Sequence, residues 1–403
     1  MVEWCCSLFL HRSCCFLLLV AWCLSRVISS SLGLRSLEFG TSGCHCERLG
    51  LGEMGDDPHD CDARIKITIG TKKAGIVDGM FFSPQGLAFD HHRGLLLVVD
   101  TNNHRAQVLS CDDGGSLVSK LGENGNGPGQ FHCPRGIAID HDHDRILIVD
   151  TGNHRVQSWC LSDQSFLSCI GKKGSGDLEF EYPRGIAIDK HHHRIIIADS
   201  NNRRLVFLSS IDLSFLFSVG GNQGSRPGEF NYPSGIAIDD DRHRIIVTDA
   251  NNHRVQVLSL IDGSFLFEFG SEGTQPGQLK NPQGLCIDNQ GRIIVSESIS
   301  RLQSFTHEGH LISSFDCGTK HPSAVAFDEH RGLIAFTIDN RVRVIGANQW
   351  LADTFTWRPD CHRYAPSWIK QAVSTMTMIR SVVDDSAMSM IPNELLFEIF
   401  SFL

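Results

Sequence analysis

Histidines are the residues of this 403-residue chain whose number and spacing first suggest chemistry. Nine of the twenty fall in five short segments that recur along the chain, namely His91, His92, His141, His143, His191, His192, His193, His243 and His330. Zinc sites usually draw their ligands from separately positioned segments, and consecutive histidines on one turn do not converge tetrahedrally. The pattern therefore favours a proton-sensitive surface over a metal centre, because an unperturbed imidazole titrates at about pH 6.5.

A second pattern, Asp-x-x-Asn-x-Arg, places an arginine five residues after an aspartate. It occurs four times, as Asp100 with Arg105, Asp150 with Arg155, Asp199 with Arg204, and Asp249 with Arg254. Across a short turn, the carboxylate and the guanidinium can form a charge-assisted hydrogen bond that fixes the turn. A catalytic role would need one pair with a different neighbourhood, and all four look alike. We therefore predict structural pairs and no catalytic residue.

A third pattern concerns the residue that follows a recurring proline. This position varies along the chain, where it is Gln85, Arg135, Arg184, Ser234, Gln283 and Ser323. If successive units are neighbours, Arg135 and Arg184 form a local cation pair suited to a carboxylate, a phosphate or an unpaired base. We predict that the six residues form a partner-binding rim. The alternative is a solvated pair of arginines without a ligand.

The elements that must position these residues come from a repeat. A Pro-x-Gly-φ-Ala-φ-Asp phrase (φ, an apolar residue) begins at Pro84, Pro134, Pro183, Pro233, Pro282 and Pro322. The resulting six units each have room for four short strands. The first two strands of a unit read as buried, and the third and fourth alternate as half-buried strands do. Radial repetition of four-stranded units predicts an all-β, six-bladed propeller.

Closure of the ring depends on the two ends of the repeat region. The last unit, from Pro322 to Ile345, supplies only three strands. Residues 64–70 alternate between apolar and polar side chains and precede the first unit. We expect this N-terminal strand to complete the last blade, because an open edge would otherwise remain.

The repeated phrase also carries a family resemblance. Pro-x-Gly-Ile-Ala-Ile-Asp followed by Asp-x-x-Asn-His-Arg-Val-Gln resembles the NHL repeat, and residues 62–346 resemble the propellers of TRIM-NHL ubiquitin ligases. The match is strong in four units and departs from the pattern at Glu297 and at Ile338 to Arg341. The paired glycines of kelch repeats and the Trp-Asp mark of WD repeats do not recur. The resemblance implies that the post-proline rim binds peptides or single-stranded RNA.

Composition limits the functions that this propeller can have. Lys and Arg number 36 against 46 Asp and Glu, a formal net charge of −10, so no basic field favours DNA or non-specific nucleic-acid binding. We expect a non-enzymatic scaffold that recognises a protein partner, with no cofactor. RNA binding would need a focused basic patch. A secreted metal-dependent lyase or hydrolase is a third hypothesis, because extracellular NHL-like propellers include such lyases. The later cysteines lack the spacing of a RING or B-box zinc site.

Residues 1–34 resemble a secretory signal, with Arg12 before an apolar run from Cys14 to Leu24. The alternative is a non-native extension, if translation begins at Met54 or Met80, and residues 35–61 read as a linker. We expect a cytoplasmic protein. It would be secreted or membrane-anchored if the segment is a genuine signal.

The C-terminal part changes in composition after the repeats. Residues 347–389 read as a helical linker, and residues 390–403 resemble the first helix of an F-box. That resemblance implies docking on a Skp-family adaptor of cullin ubiquitin ligases, through Pro392, Leu395, Leu396, Ile399 and Phe400. Only the first helix of an F-box fits into these residues. The alternative is an amphipathic helix that packs on the propeller.

Overall fold

Six antiparallel sheets of four strands make up the fold in the computed structural model, which describes residues 65–318 and 321–347. Blade 1 contains β2 (Gly86–Asp90), β3 (Leu95–Asp100), β4 (Arg105–Ser110) and β5 (Leu117–Leu121), and blade 2 contains β8 (Ile137–Asp140), β9 (Arg145–Asp150), β10 (Arg155–Cys160) and β11 (Phe166–Ile170). Blade 3 contains β14 (Pro183–Asp189), β15 (Arg194–Asp199), β16 (Arg204–Ser209) and β17 (Phe215–Gly220), and blade 4 contains β18 (Pro233–Asp239), β19 (Arg244–Asp249), β20 (Arg254–Ser259) and β21 (Phe265–Phe269). Blade 5 contains β22 (Pro282–Ile287), β23 (Ile293–Glu297), β24 (Arg301–Phe305) and β25 (Leu311–Asp316), and blade 6 contains β26 (Pro322–Asp328), β27 (Leu333–Ile338), β28 (Arg341–Gly346) and β1 (Ile65–Gly70).

Short elements connect and cap the blades. Two parallel pairs occupy loops between blades, and they are β6 (Glu123–Asn124) with β7 (Gln130–Phe131) and β12 (Lys172–Lys173) with β13 (Glu179–Phe180). Four 3₁₀ turns lie at Thr101–Asn103, Thr151–Asn153, Asp240–Arg242 and Ala250–Asn252. Within the described ranges, no helix is long and apolar enough to cross a membrane. The N-terminal segments, the helical linker and the F-box-like helix predicted above lie outside these ranges.

The first strands of the blades contact their neighbours around a complete ring, so they surround the axis. In blade 6 the strand order is β26, β27, β28 and β1, and β1 runs antiparallel to β28 with Ile69 opposite Val342. The predicted closure by an N-terminal strand is therefore confirmed. It joins the two ends of the propeller within one sheet and covers the edge that β28 would otherwise expose.

Burial agrees with the prediction in the second and fourth strands, whereas the first strand is only partly buried, as in β18. The second strand is fully buried, as in β15, and the fourth alternates between half-buried and exposed residues, as in β17. The predicted half-burial of the third strand is wrong. In β20 the first five of six residues are buried, and Gln256 is fully buried among them. The polar residue is tolerated because its amide donates hydrogen bonds inside the blade, as described below.

The hydrophobic core lies between blades, where facing sheets pack together. Five of the loops between blades each add one fully buried apolar side chain to that core, and these are Phe81, Phe131, Phe180, Phe230 and Leu279. In one interface, Phe131 packs among Val99 of blade 1 and Ile146 of blade 2. Many of the phenylalanines thus fill the space between neighbouring sheets.

The glycine of the Pro-x-Gly phrase is required because the backbones of neighbouring blades come very close together at this position. A Cβ at Gly136 would lie 2.1 Å from the carbonyl oxygen of Arg184, and one at Gly86 would lie 2.0 Å from that of Arg135. Neither glycine has a left-handed φ, so the constraint is purely one of space. Blade 6 has Ala324 at this position. The ring is therefore packed backbone to backbone around its axis.

Candidate functional site

The axial channel opens on one side of the ring at the start of each first strand. All six post-proline residues line an opening of about 570 Å³, including the part that is open to solvent, together with the first residues of the inner strands. We call this opening the arginine mouth, defined by Gln85, Arg135, Arg184, Ser234, Gln283 and Ser323. The residues are separate in sequence, and the ring brings them to one place because every inner strand begins at the same face.

Arg135 is held at the mouth by a neutral partner. Its Nη1 donates to Oε1 of Gln85 on the neighbouring blade. Burial, and then the positive charge of Arg184, lower the pKa of Arg135 to about 10, so the guanidinium is still charged at neutral pH. An amide oxygen offsets this charge far less than a carboxylate would.

Arg184 also pairs with an amide, and it reaches past one blade to do so. Its Nη1 donates to Oε1 of Gln283 at 3.0 Å, and its guanidinium lies 4.5 Å from the ring centroid of Tyr232. Its Nε is buried without a hydrogen-bond partner. Burial lowers the pKa of Arg184 as well. Within the described ranges, neither mouth arginine forms an ion pair with a carboxylate.

A polar groove continues from the arginine mouth between blades 3 and 4. Tyr232 lies at the junction, because it stacks on Arg184 and also lines the groove. Arg203 and Asn251 line it further out. The groove encloses about 1150 Å³ including its open side. Together the mouth and the groove form a surface with four arginines, one tyrosine and the carboxylate of Glu181. Of the groove arginines, Arg204 is already paired with Asp199.

The four predicted Asp–Arg pairs fasten the loops between blades. Each arginine Nε lies 2.8–2.9 Å from an aspartate Oδ2, and each aspartate is fully buried. Asp150 shows the full network. Its Oδ1 accepts from the backbone N–H of His132, while Asn153 and Gln157 donate to its Oδ2. These groups therefore lock a preceding loop onto the blade.

Glu297 replaces aspartate in blade 5, where the arginine follows after four residues instead of five. Arg301 Nε donates to Glu297 Oε1 at 2.7 Å, so the extra methylene of glutamate compensates for the shorter turn. A second ring of acid–arginine pairs lies at the other ends of the inner strands. Examples are Asp189 with Arg194 at 2.8 Å and Asp140 with Arg145 at 2.6 Å. Our sequence reasoning missed this ring, although the Ile-Asp phrase followed by an arginine marks it in the repeat.

The histidine of the Asn-His-Arg phrase forms a contact that the sequence analysis did not assign. His104 and His154 have left-handed backbone, and their Nδ1 atoms accept the backbone N–H of Cys133 and Tyr182 on the next blade. Burial, as the largest cause, lowers the pKa of both imidazoles, so the neutral form is favoured. His253 makes the same contact, with its Nδ1 3.1 Å from the backbone nitrogen of Asn281.

The nine histidines of the predicted ring lie at the opposite end of the channel, on the turns that follow the inner strands. Two of them have close acid partners, since Nδ1 of His143 and Nδ1 of His192 each lie 2.9 Å from a buried aspartate. Four others, from three different blades, come together in space. The repeat pattern had not indicated that turns of different blades bring these histidines together. We call the turns that carry His91, His92, His141, Glu329 and His330 the histidine cluster.

Comparisons with known families agree with the observed architecture. The NHL repeat matches residues 230–258, and a family described as a 6-bladed beta-propeller matches residues 88–171. No curated protein matches the chain. With the six observed blades, the two family matches support an NHL-type propeller.

Solved structures share the fold at low sequence identity. A protein of unknown function from Bacteroides thetaiotaomicron is 16% identical with a TM-score of 0.51, covering 69% of this chain and 73% of its own. A gluconolactonase from Xanthomonas campestris is 15% identical with a TM-score of 0.50, covering 67% of this chain and 87% of its own. Since the same fold carries an enzyme, the fold alone does not distinguish a scaffold from a catalyst.

Proposed function

We propose that this NHL-type propeller is a non-enzymatic protein-interaction scaffold that binds an acidic segment of a partner protein at the arginine mouth. One observation carries the proposal. Arg135 and Arg184 are two adjacent, largely buried guanidiniums whose hydrogen-bond partners at the mouth are the amides of Gln85 and Gln283. A carboxylate from a partner would neutralise this charge and accept hydrogen bonds from both side chains.

The groove beside the mouth extends the footprint to the length of a peptide. A chain that inserts an acidic side chain between the mouth arginines would pass over Tyr232 and meet Arg203. The net charge of −10 belongs to the whole chain, whereas Arg135, Arg184 and Arg203 put a local positive charge along the mouth and the groove, which Glu181 partly offsets. Such focused charge gives specificity and speeds association.

Single-stranded RNA is the second ligand that the site supports. Tyr182 is 42% exposed on the same side of the ring, and Tyr232 already stacks on a guanidinium. Aromatic and arginine faces of this kind stack on unpaired bases. The acidic net charge weighs against this ligand, because phosphate binding requires a positive field over several nucleotides.

Catalysis is less well supported at this mouth. A metal-dependent lyase or hydrolase needs carboxylates or imidazoles to hold its ion. The six residues that define the arginine mouth carry amides, hydroxyls and guanidiniums instead. Their chemistry suits binding.

A link to ubiquitin transfer belongs to the same proposal, and it rests on the F-box-like phrase at residues 390–403. The segment from Pro392 onward, if it folds as the first helix of an F-box, would dock on a Skp-family adaptor in the cytoplasm and present the partner held by the propeller. Replacing Leu395 and Leu396 with alanine should abolish co-purification of the adaptor with the full chain. Retention of the adaptor by this variant would refute the link without affecting the arginine mouth.

The proposal is tested by titrating the full chain with a fluorescent glutamate-rich peptide, with its glutamine counterpart and with oligouridylate. The variant Arg135→Gln/Arg184→Gln should lose at least about tenfold in affinity for the acidic peptide, because both charged donors are gone. The control Arg226→Gln removes one charge from an exposed loop and should bind like the wild type.

Three outcomes decide the matter. Tight binding of the acidic peptide that is lost only in the mouth variant supports the scaffold. Binding of oligouridylate alone supports the RNA alternative. Failure of the chain to bind either probe, or equal binding by wild type and the mouth variant, contradicts a ligand site at the arginine mouth.

A further inference from the structure

Three turns from three blades meet at the histidine cluster. His91 and His92 follow β2, His141 follows β8, and Glu329 and His330 follow β26. Ring centroids lie 4.5 Å apart for His92 and His141, 5.2 Å for His91 and His141, and 4.6 Å for His91 and His330. The ring places blade 6 beside blade 1, so residues distant in sequence become neighbours.

Ligand atoms converge within this cluster in two overlapping sets. One nitrogen each from His91, His92 and His141 lie within 4.8 Å of one another. The same holds for His91, Glu329 Oε and His330. Ligands of a tetrahedral zinc ion, each about 2.0–2.1 Å from the metal, lie about 3.4 Å apart. Side-chain rotations on these partly exposed turns can supply that difference.

The ring nitrogens of these imidazoles form no hydrogen bond among the described residues, unlike those of His143 and His192 on the same side of the ring. The nearest acids are 4.0 Å away, with His91 and His330 near Glu329 and His141 near Asp90. By contrast, His143 is held by a buried aspartate at 2.9 Å.

Asp90 gives the cluster a buried support. Its carboxylate is fully buried, and it accepts the backbone N–H of His92 and a hydrogen bond from Arg93. The same carboxylate lies 4.0 Å from Nε2 of His141 on the next blade. At this distance the two groups are not hydrogen-bonded, and a rotation of the imidazole that shortens the contact would let Asp90 orient His141 as carboxylates orient histidine ligands.

We propose that His91, His92 and His141 bind one divalent transition-metal ion, with Glu329 and His330 beside its remaining coordination position. Three imidazoles select Zn²⁺, Cu²⁺ or Ni²⁺ over Ca²⁺ and Mg²⁺, which prefer oxygen ligands. The two sets share His91, so the site takes a single ion. The bound ion would join turns of blades 1 and 2 beside blade 6, the blade that contains β1.

The test is isothermal titration of the metal-free full chain with Zn²⁺, followed by Co²⁺ absorption spectroscopy. The variant His91→Asn/His141→Asn should bind Zn²⁺ at least about tenfold more weakly than the wild type, because two of three ligands are removed. The matched control is His191→Asn/His193→Asn, which removes two exposed histidines from the same face outside the cluster. It should bind like the wild type.

Two further readouts keep the result unambiguous. Thermal unfolding in a chelator establishes that each variant is folded, and the single variant His92→Asn replaces the double variant if the latter unfolds. The chain has fifteen cysteines, and Co²⁺ bound to thiolates shows intense near-ultraviolet charge-transfer bands that imidazole ligation lacks. Equal Zn²⁺ affinity in wild type and the cluster variant, or a thiolate spectrum that this variant retains, would overturn the proposal.

Discussion

Replacing Gly136 with alanine is expected to destabilise the propeller through a clash between blades. The new Cβ would lie 2.1 Å from the carbonyl oxygen of Arg184, whereas real Cβ atoms essentially never come closer than 3.0 Å to a neighbour. The neighbour is backbone, so no side chain can rotate away, and the inner strands must separate by nearly 1 Å. The φ of Gly136 is accessible to alanine, so the strain is steric alone.

The magnitude follows from two opposing terms. Overpacking in a close-packed region costs about 1–3 kcal/mol, and the upper part of that range applies because the obstacle is backbone. The lower entropy of alanine in the unfolded chain returns about 0.4–1 kcal/mol. We therefore expect a loss of about 2 kcal/mol, which lowers Tm by roughly 3–4 °C in a domain of about 280 residues.

Urea and thermal unfolding followed by circular dichroism measure this loss, and other glycines of the ring provide graded comparisons. The corresponding Cβ contacts are 2.5 Å at Gly235 and 2.7 Å at Gly284, so alanine there should cost progressively less. In blade 6 the reverse change, Ala324→Gly, should cost no more than about 1 kcal/mol. A Tm of Gly136→Ala equal to that of the wild type would refute the packing argument, and so would a reversed order of the three glycines.

Three other predictions concern closure and the polar networks. Deleting residues 62–70 should expose the edge of β28 and lower both Tm and protease resistance, and an unchanged Tm would contradict closure by β1. The pKa of His154 is lower in the folded protein than the unfolded value of about 6.5. The contribution of His154 to stability is therefore complete above pH 6.5 and is lost as the pH falls through the pKa of the folded state. The urea midpoint should therefore drop between pH 7.5 and pH 5.5. The variant His154→Asn should show a smaller drop, because an asparagine side chain does not titrate and Asn340 makes the same contact in blade 6. An equal drop in the wild type and the variant would count against this prediction. Asp150→Asn should lower the free energy of unfolding in urea by about 3 kcal/mol, because it leaves the buried guanidinium of Arg155 without its carboxylate. The control Asp163→Asn, on an exposed turn, should change the free energy of unfolding very little. Similar losses in the two variants would disprove the distinction.

The third strand illustrates where reasoning from a single sequence fails. Arg254-Val-Gln-Val-Leu alternates, and alternation normally indicates one solvent-facing side. In the propeller, Gln256 donates instead to the carbonyl of Glu229 and to Asp249, so a polar residue occupies a buried face. The local sequence pattern shows that a side chain is polar, but it does not show which distant groups accept or donate its hydrogen bonds.

The sequence by itself determined the number of blades, the order of strands and the closing strand, because these depend on a repeated phrase and on alternation along a few residues. It also placed Arg135 and Arg184 at the start of neighbouring inner strands. Only the tertiary structure decided which groups meet across the ring. Curvature puts the turn of His330 beside that of His91 and lets Arg184 reach Gln283 two blades away. These contacts depend on how the ring closes, and the spacing of residues along the chain does not specify that geometry.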